Sequence, residues 1–267
     1  MAVASRPELA SSPSVTQLLA PFRADPQGTG VFSDFDGTLA PIVDDPSAAV
    51  ALPGVVDALA GLARRYGRVG VISGRPASFL QATLGDCGLF LSGLYGLEVV
   101  DADGNVRAIA EAEPWRSVVE EVAAAGETGL PPGLTVERKG LSVTVHYRRD
   151  PAQQSAAADW TAAQARATGL ALHPARMSYE LRPPMERDKG TVLAEAAVGR
   201  RQVCFLGDDR GDLEAFDALD RMAAAGATVV KVGVTSPEAP AEILERADLV
   251  VDGPEGSLSF LGALLEE

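Results

Sequence analysis

The pattern that most constrains this chain is an alternation that runs, stops and resumes. The apolar stretch "GVFSD" (30–34) reads as a buried strand. It is followed by "PGVVDALAGLARRYG", with Pro53 at a helix start and apolar residues at 55, 56, 59, 62, 63 and 66, which is helical spacing. "RVGVIS" and "LFLSGL" then read as strands around a helix in "PASFLQATLG". The same rhythm returns late in the chain: "KGTVLAEAAVG", "RQVCFLG", "DLEAFDALDRMAAAG", "TVVKVG", "PEAPAEILERA", "DLVVDG". Strands alternating with helices predict an α/β core, a Rossmann-like parallel sheet with helices on both faces.

The middle of the chain follows another rule. "LEVVDADGNVRAI" carries an Asp-Gly hairpin signal at 103–104. A helix is expected in "PWRSVVEEVAAAG". "LTVERKGLSVTVHYRR" then alternates from Leu141 to Arg148. Val143, Val145 and Tyr147 fall on one face; Ser142, Thr144, His146 and Arg148 fall on the other. An Ala-rich helix, "PAQQSAAADWTAAQARATG", precedes a strand in "MSYELRP". Hairpins with helices predict a small α+β insert at residues 109–183. It divides a core made of residues 25–108 and 184–267. Residues 1–24 read as a flexible segment that leads into a short helix near "SVTQLLAPF". Trp115 and Trp160 sit at helical spacing and read as packing residues.

With a net charge of −14 over 267 residues, the surface repels nucleic acid and anionic membranes. An anionic substrate must be attracted locally, by a metal or a few placed cations. No apolar run is long enough for a membrane span, and the first residues lack the regions of a signal peptide. Of the two cysteines, Cys204 reads as a buried hydrophobe and Cys87 as a loop residue. Neither suggests a disulfide framework or a zinc site, so a cytoplasmic location is expected; the chain is also expected to be a monomer.

In an open parallel sheet, ligands sit beyond the carboxyl ends of the strands. Four such positions carry chemistry here. They are Asp34 and Asp36 before Gly37; Ser73 with Gly74 and Arg75; Lys189 opening a helix in "RDKG"; and Asp208, Asp209 and Asp212 in "GDDRGD". Clustered carboxylates repel one another unless a cation compensates them, and oxygen-only ligands suit Mg²⁺. Taken alone, Asp34 and Asp36 read equally as turn formers; the second acidic strand end tips that balance. A lysine in the first helical turn opposes the helix dipole, unless it faces a phosphate and carboxylates. Ser73 with exposed amides can hold a phosphate oxygen, although "SGR" alone is also a plain turn.

"DFDGTLAPI", "ISGR", "DKG" and "GDDRGD", in that order, resemble the four motifs of the haloacid dehalogenase superfamily of aspartate-nucleophile phosphatases. The resemblance implies that Asp34 is the nucleophile and Asp36 the general acid and base, with Ser73 and Lys189 holding phosphoryl oxygens. It also implies Mg²⁺ on Asp34, the Asp36 carbonyl and Asp208, with Asp209 or Asp212 in support. The insert resembles a cap placed after the third strand, the C2 type. "DFDGTLAPIVDDP", "GLYGLE", "VERKGLSVTVHYR", "YELRP" and "GDDRGDLEAF" look like trehalose-6-phosphate phosphatases, although that family usually has Thr where this chain has Gly211. A sugar phosphate is then the expected substrate. Glu137, Lys139 and Glu180 are candidates for reading sugar hydroxyls, with Gly74, Arg75, Glu98, Arg148 and Arg182 beside them. His146 is expected to hydrogen-bond within the cap, and His173 to be structural or exposed. A phosphatase for sucrose phosphate or mannosyl-phosphoglycerate, a phosphomutase and a non-catalytic sugar-phosphate sensor remain as alternatives.

Overall fold

The structure is a computed structural model and describes residues 13–43, 48–175, 177–237 and 239–266. The chain forms two compact units, one of residues Met1–Val106 with Arg187–Glu267, the other of Arg107–Glu186. The end of the extended first motif, 44–46, lies outside the described residues.

The larger sheet has eight strands. In chain order they are β1 (Thr29–Ser33), β2 (Arg68–Ile72), β3 (Phe90–Gly93), β4 (Glu98–Val100), β5 (Val106–Ala108), β10 (Gln202–Gly207), β11 (Thr228–Thr235) and β12 (Leu249–Asp252). Their spatial order is β12-β11-β10-β1-β2-β3-β4-β5. Neighbours from β12 to β3 are parallel, and β4 turns back antiparallel on β3. The hairpin signal at 103–104 falls between β4 and β5, where Gly104 N–H donates to the Asp101 carbonyl at 3.0 Å.

Alternation along β1 and β10 sends side chains to two apolar layers. Val31, Cys204 and Leu206 pack with α1 (Pro13–Ala24), α2 (Val55–Arg65), α3 (Ala77–Leu84) and α9 (Gly253–Leu265). Phe32, Val203 and Phe205 pack with α6 (Lys189–Ala196), α7 (Leu213–Ala224) and α8 (Ala241–Arg246). Cys204 is the buried hydrophobe its neighbours imply. The short helix expected near "SVTQLLAPF" is present as α1 and runs from Pro13 to Ala24. Leu19 and Phe22 are fully buried, and each such burial is worth about 1.5–3 kcal/mol, enough to hold one short helix on the sheet. Residues 1–12 lie outside the described residues.

The smaller sheet has strands β6 (Thr135–Arg138), β7 (Val143–His146), β8 (Ala171–Ala175) and β9 (Ser178–Arg182), in the order β6-β7-β9-β8. All pairs are antiparallel. One face packs Val143 and Leu181 with α4 (Arg116–Gly129) and Val145 with Ala157 of α5 (Gln154–Thr168). Trp115 and Trp160 join these clusters as packing residues. The other face is polar. Strand β8 contains Pro174, which cannot donate to a ladder and is tolerated because β8 is an edge strand. Among the described residues, no helix is long and apolar enough to cross a membrane.

Candidate active site

Parallel pairing aligns the carboxyl ends of β10, β1 and β2. Ser33 lies opposite both Leu206 and Val71, so the chain leaves all three strands at one edge. Asp34 follows Ser33, Ser73 follows Ile72, and Asp208 follows Gly207. The turn after Asp34 is closed by Gly37 N–H donating to the Ala40 carbonyl at 2.8 Å. Gly37 has φ +75°, and a Cβ there would lie 2.1 Å from Asp208 Oδ2. Glycine is therefore required for the first acidic strand end to approach the second.

Lys189 enters from the start of α6. Asp188 caps this helix, accepting from Thr191 N at 2.7 Å and Thr191 Oγ1 at 2.9 Å. Lys189 is 1% exposed. Its Nζ lies 2.7 Å from Asp212 Oδ1, 3.0 Å from Asp34 Oδ2 and 3.5 Å from Asp209 Oδ1. Burial works against the ammonium, but Asp209, Asp212 and Asp34 outweigh it and keep Lys189 charged. These carboxylates offset the cost of a cation in the first helical turn. Asp212 is the organiser of the acidic loop, because its Oδ2 accepts from the amides of both Asp208 and Asp209 at 2.9 Å. Asp208 Oδ1 accepts from Thr38 Oγ1 at 3.0 Å.

The cluster is short of positive charge. Asp34, Asp209 and Asp212 each offer an oxygen within 4.8 Å of the others, against the one ammonium of Lys189. Burial pushes Asp34 up to about 7 although Lys189 pulls it down, and pushes Asp208 up to about 6. Asp34 Oδ1 and Asp209 Oδ1 are buried and accept no hydrogen bond. Both oxygens of Asp212 are already engaged. This donor set, hard oxygens with spare lone pairs and uncompensated charge, fits a divalent cation such as Mg²⁺.

On the other side, Asp36 is gripped side-on by Arg75, whose Nε and Nη2 each lie 2.6 Å from a carboxylate oxygen. The Arg75 guanidinium also stacks 4.7 Å over the Phe79 ring. Ser73 is buried, and its Oγ accepts from Arg75 N at 3.3 Å. Tyr95 belongs to this site too, although sequence reasoning did not select it. Leu94, Tyr95 and Gly96 are successively left-handed, with φ of 50°, 55° and 93°. Such backbone costs roughly 1–2 kcal/mol at each non-glycine position. Leu94 and Tyr95 amides hold it by donating to the Arg75 and Ser73 carbonyls at 2.9 and 3.1 Å. A Cβ on Gly74 would lie 2.7 Å from the Tyr95 Oη, so glycine at 74 is what admits the phenol. The spacing Gly93-x-x-Gly96 at a strand end was the available signal. Glu98, grouped with the sugar readers from sequence, is 5% exposed, and its Oε2 accepts from Ala77 N at the start of α3 at 3.1 Å.

The polar face of the smaller sheet gathers most of the insert's predicted residues. His146 Nε2 lies 2.7 Å from Glu137 Oε2, Ser142 Oγ donates to Glu180 Oε1 at 2.7 Å, and Lys139 Nζ lies 3.7 and 3.8 Å from Glu137 and Glu180. His146 therefore bonds within the insert, as expected. His173 is half-buried, and Arg182 Nη2 lies 3.2 Å from its Nδ1. Burial and the Arg182 charge hold His173 below the usual histidine range. Arg148 is not brought to this face. Strand β7 ends at His146, two residues earlier than the alternation suggests, and Arg148 is exposed in the turn beyond.

The Trehalose-phosphatase family matches residues 32–246 of the chain, a span that holds every site residue named in this subsection. The chain belongs to that family. A trehalose-phosphate phosphatase of Mycobacterium avium is 34% identical over 251 residues, covering 85% of this chain and 63% of that protein. The chain thus spans less than two thirds of that relative's length. The C-terminal domain of C. albicans trehalose-6-phosphate phosphatase superposes with a TM-score of 0.72 at 24% identity, over 98% of both chains. A haloacid dehalogenase-like hydrolase from Bacteroides thetaiotaomicron gives 0.60 at 16% identity, over 88% of this chain and 98% of that one. The chain therefore has the fold its motifs imply, a haloacid dehalogenase core with a separate α+β unit.

Proposed function

We propose that this chain hydrolyses trehalose 6-phosphate to trehalose and phosphate, with Asp34 as nucleophile and Mg²⁺ as cofactor. The observation that carries the reading is the buried Asp34–Lys189–Asp212 constellation, in which Asp34 Oδ1 has no partner. One Asp34 oxygen is held by Lys189, leaving the other to attack phosphorus. The O–P bond to the sugar breaks, and the sugar oxygen takes a proton from Asp36. Water then attacks the aspartyl phosphate, giving its proton to Asp36, and phosphate leaves as the Asp34 carboxylate re-forms. Ser73 and Lys189 hold the phosphoryl oxygens; Arg75 orients Asp36. Asp34, Asp208, Asp209 and the Asp36 carbonyl would hold Mg²⁺, which supplies charge compensation and polarises the phosphoryl group. Residues 109–183 serve as the cap, whose Glu137, Lys139 and Glu180 read the sugar. The test is phosphate release from a panel of sugar phosphates, with Mg²⁺ and after metal stripping. Equal activity in excess EDTA removes the metal; preference for glucose 6-phosphate removes the substrate.

Mg²⁺ binding should release protons. Asp34 and Asp208 are raised to about 7 and about 6, so at pH 6.5 the metal-free site holds protons that a cation must displace. Affinity should weaken as pH falls from 8 to 6. Calorimetry at pH 6.5 in two buffers of different ionisation enthalpy should give different apparent binding enthalpies. Identical enthalpies would place the metal elsewhere.

Glu180→Ala should selectively impair the disaccharide. Losing one charged hydrogen bond costs about 1.5–3 kcal/mol, or roughly 10- to 150-fold. The ratio of kcat/KM for trehalose 6-phosphate to that for p-nitrophenyl phosphate should fall by this factor. An unchanged ratio would assign Glu180 to holding Ser142 and the sheet.

A further inference from the structure

In the smaller sheet, four residues line up across the strands in register: Glu137 opposite Thr144, Thr144 opposite Glu180, and Glu180 opposite His173. Their shared register places them on one face. The flanking residues on β7 and in the hairpin before it are committed. Ser142 donates to Glu180 Oε1, and His146 pairs with Glu137 Oε2. Thr144 lies between them and is different. It is 2% exposed, and its Oγ1 is buried with no hydrogen-bond partner.

A buried hydroxyl without a partner costs about 1–3 kcal/mol. Nothing about the strand demands that cost. Valine has the same shape, suits a strand equally well and would leave no orphan. The hydroxyl can both give and take a hydrogen bond, and it does neither here. The carboxylates on either side accept only. Lys139 pairs with both carboxylates at 3.7 and 3.8 Å, beyond direct hydrogen-bond length, so it does not use up their lone pairs. An alcohol between two carboxylates completes the set. It donates to a Glu oxygen and exchanges a hydrogen bond with Thr144, in a chain whose members polarise one another.

We propose that Thr144 is a specificity-determining residue whose hydroxyl pairs with a hydroxyl of the non-phosphorylated sugar ring. This rests on the sugar-phosphate reading of the site. The decisive variants are Thr144→Val, which keeps the shape, and Thr144→Ser, which keeps the hydroxyl. Steady-state kinetics on trehalose 6-phosphate, glucose 6-phosphate and p-nitrophenyl phosphate, with melting temperatures, read the outcome. For Thr144→Val, kcat/KM for trehalose 6-phosphate relative to p-nitrophenyl phosphate should fall about tenfold, the scale of one hydrogen bond. The same variant should melt no lower than the parent, since it removes an unpaired polar group. Thr144→Ser should restore the ratio to within about threefold of the parent. An unchanged ratio in Thr144→Val overturns the proposal, as does an equal loss on all three substrates. If the parent chain prefers a different sugar phosphate, the trehalose reading fails separately. If the preferred ester carries a second, non-phosphorylated ring, the ratio is taken with it, where a selective loss supports Thr144 and an unselective one overturns it; if it carries none, the proposal is overturned.

Discussion

Asp34→Asn is expected to bring phosphate release below detection while the fold becomes no less stable. Loss of a catalytic nucleophile removes on the order of 10⁴- to 10⁶-fold in turnover. The stability arm comes from burial. Asp34 is 3% exposed and its carboxyl is pushed up to about 7, so above that pH the folded chain carries a charge it would rather lose. An uncharged isostere removes the repulsion with Asp208 and Asp209, at the cost of one contact to Lys189. Activity should therefore vanish while the melting temperature at pH 8 without metal holds or rises. Residual turnover within a hundredfold of the parent would remove Asp34 from the nucleophile's role.

Lys189→Met should do the opposite to stability. The ammonium is the shared counter-charge of Asp34, Asp209 and Asp212. Taking one partner from a buried ion cluster costs about 3–5 kcal/mol, because the remaining carboxylates are left uncompensated. The variant should be inactive and should unfold at much lower denaturant concentration. Adding Asp212→Asn should recover part of the stability and none of the activity, since Asp212 is the closest partner at 2.7 Å. A Lys189→Met protein as stable as the parent would mean that the cluster is already neutral, with protons in place of the lysine.

Much of this architecture could be read from the residues alone. The strands that end in Asp34, Ser73 and Asp208 were legible because apolar runs stop abruptly at polar groups. What stayed hidden follows from contacts that a linear pattern does not carry. In "GDDRGD" Asp209 and Asp212 look interchangeable as supports, yet of the two Asp212 collects two backbone amides and the closer contact to the ammonium. Strand β8 was missed because Pro174 argues against a strand until its edge position is known. Glu98 has a partner that a linear pattern does not carry, because it accepts from the first turn of a helix 21 residues earlier. Tyr95 was marked only by the Gly93-x-x-Gly96 spacing, since what holds its left-handed backbone is the donation of its amide to the distant Ser73 carbonyl, beside that of Leu94 to Arg75. The last helix, α9, was also not singled out; its apolar residues Phe260, Leu261 and Leu264 find their sheet face only in the folded core.

The strand order has a consequence for how the chain comes to be folded as it is made. Strand β1 is flanked by β2 on one edge and by β10 on the other. The first neighbour is synthesised soon after β1; the second follows only after the whole smaller unit has left the ribosome. Until then β1 presents an apolar, unpaired edge, a template for wrong strand partners. Residues Arg107–Glu186 are continuous in sequence, so that unit completes its own sheet while the larger one waits. Non-local pairings of this kind are slow to form and exposed to aggregation. The acidic surface, with its net charge of −14, is a counterweight, because half-made chains that repel one another have less chance to pair through their open edges.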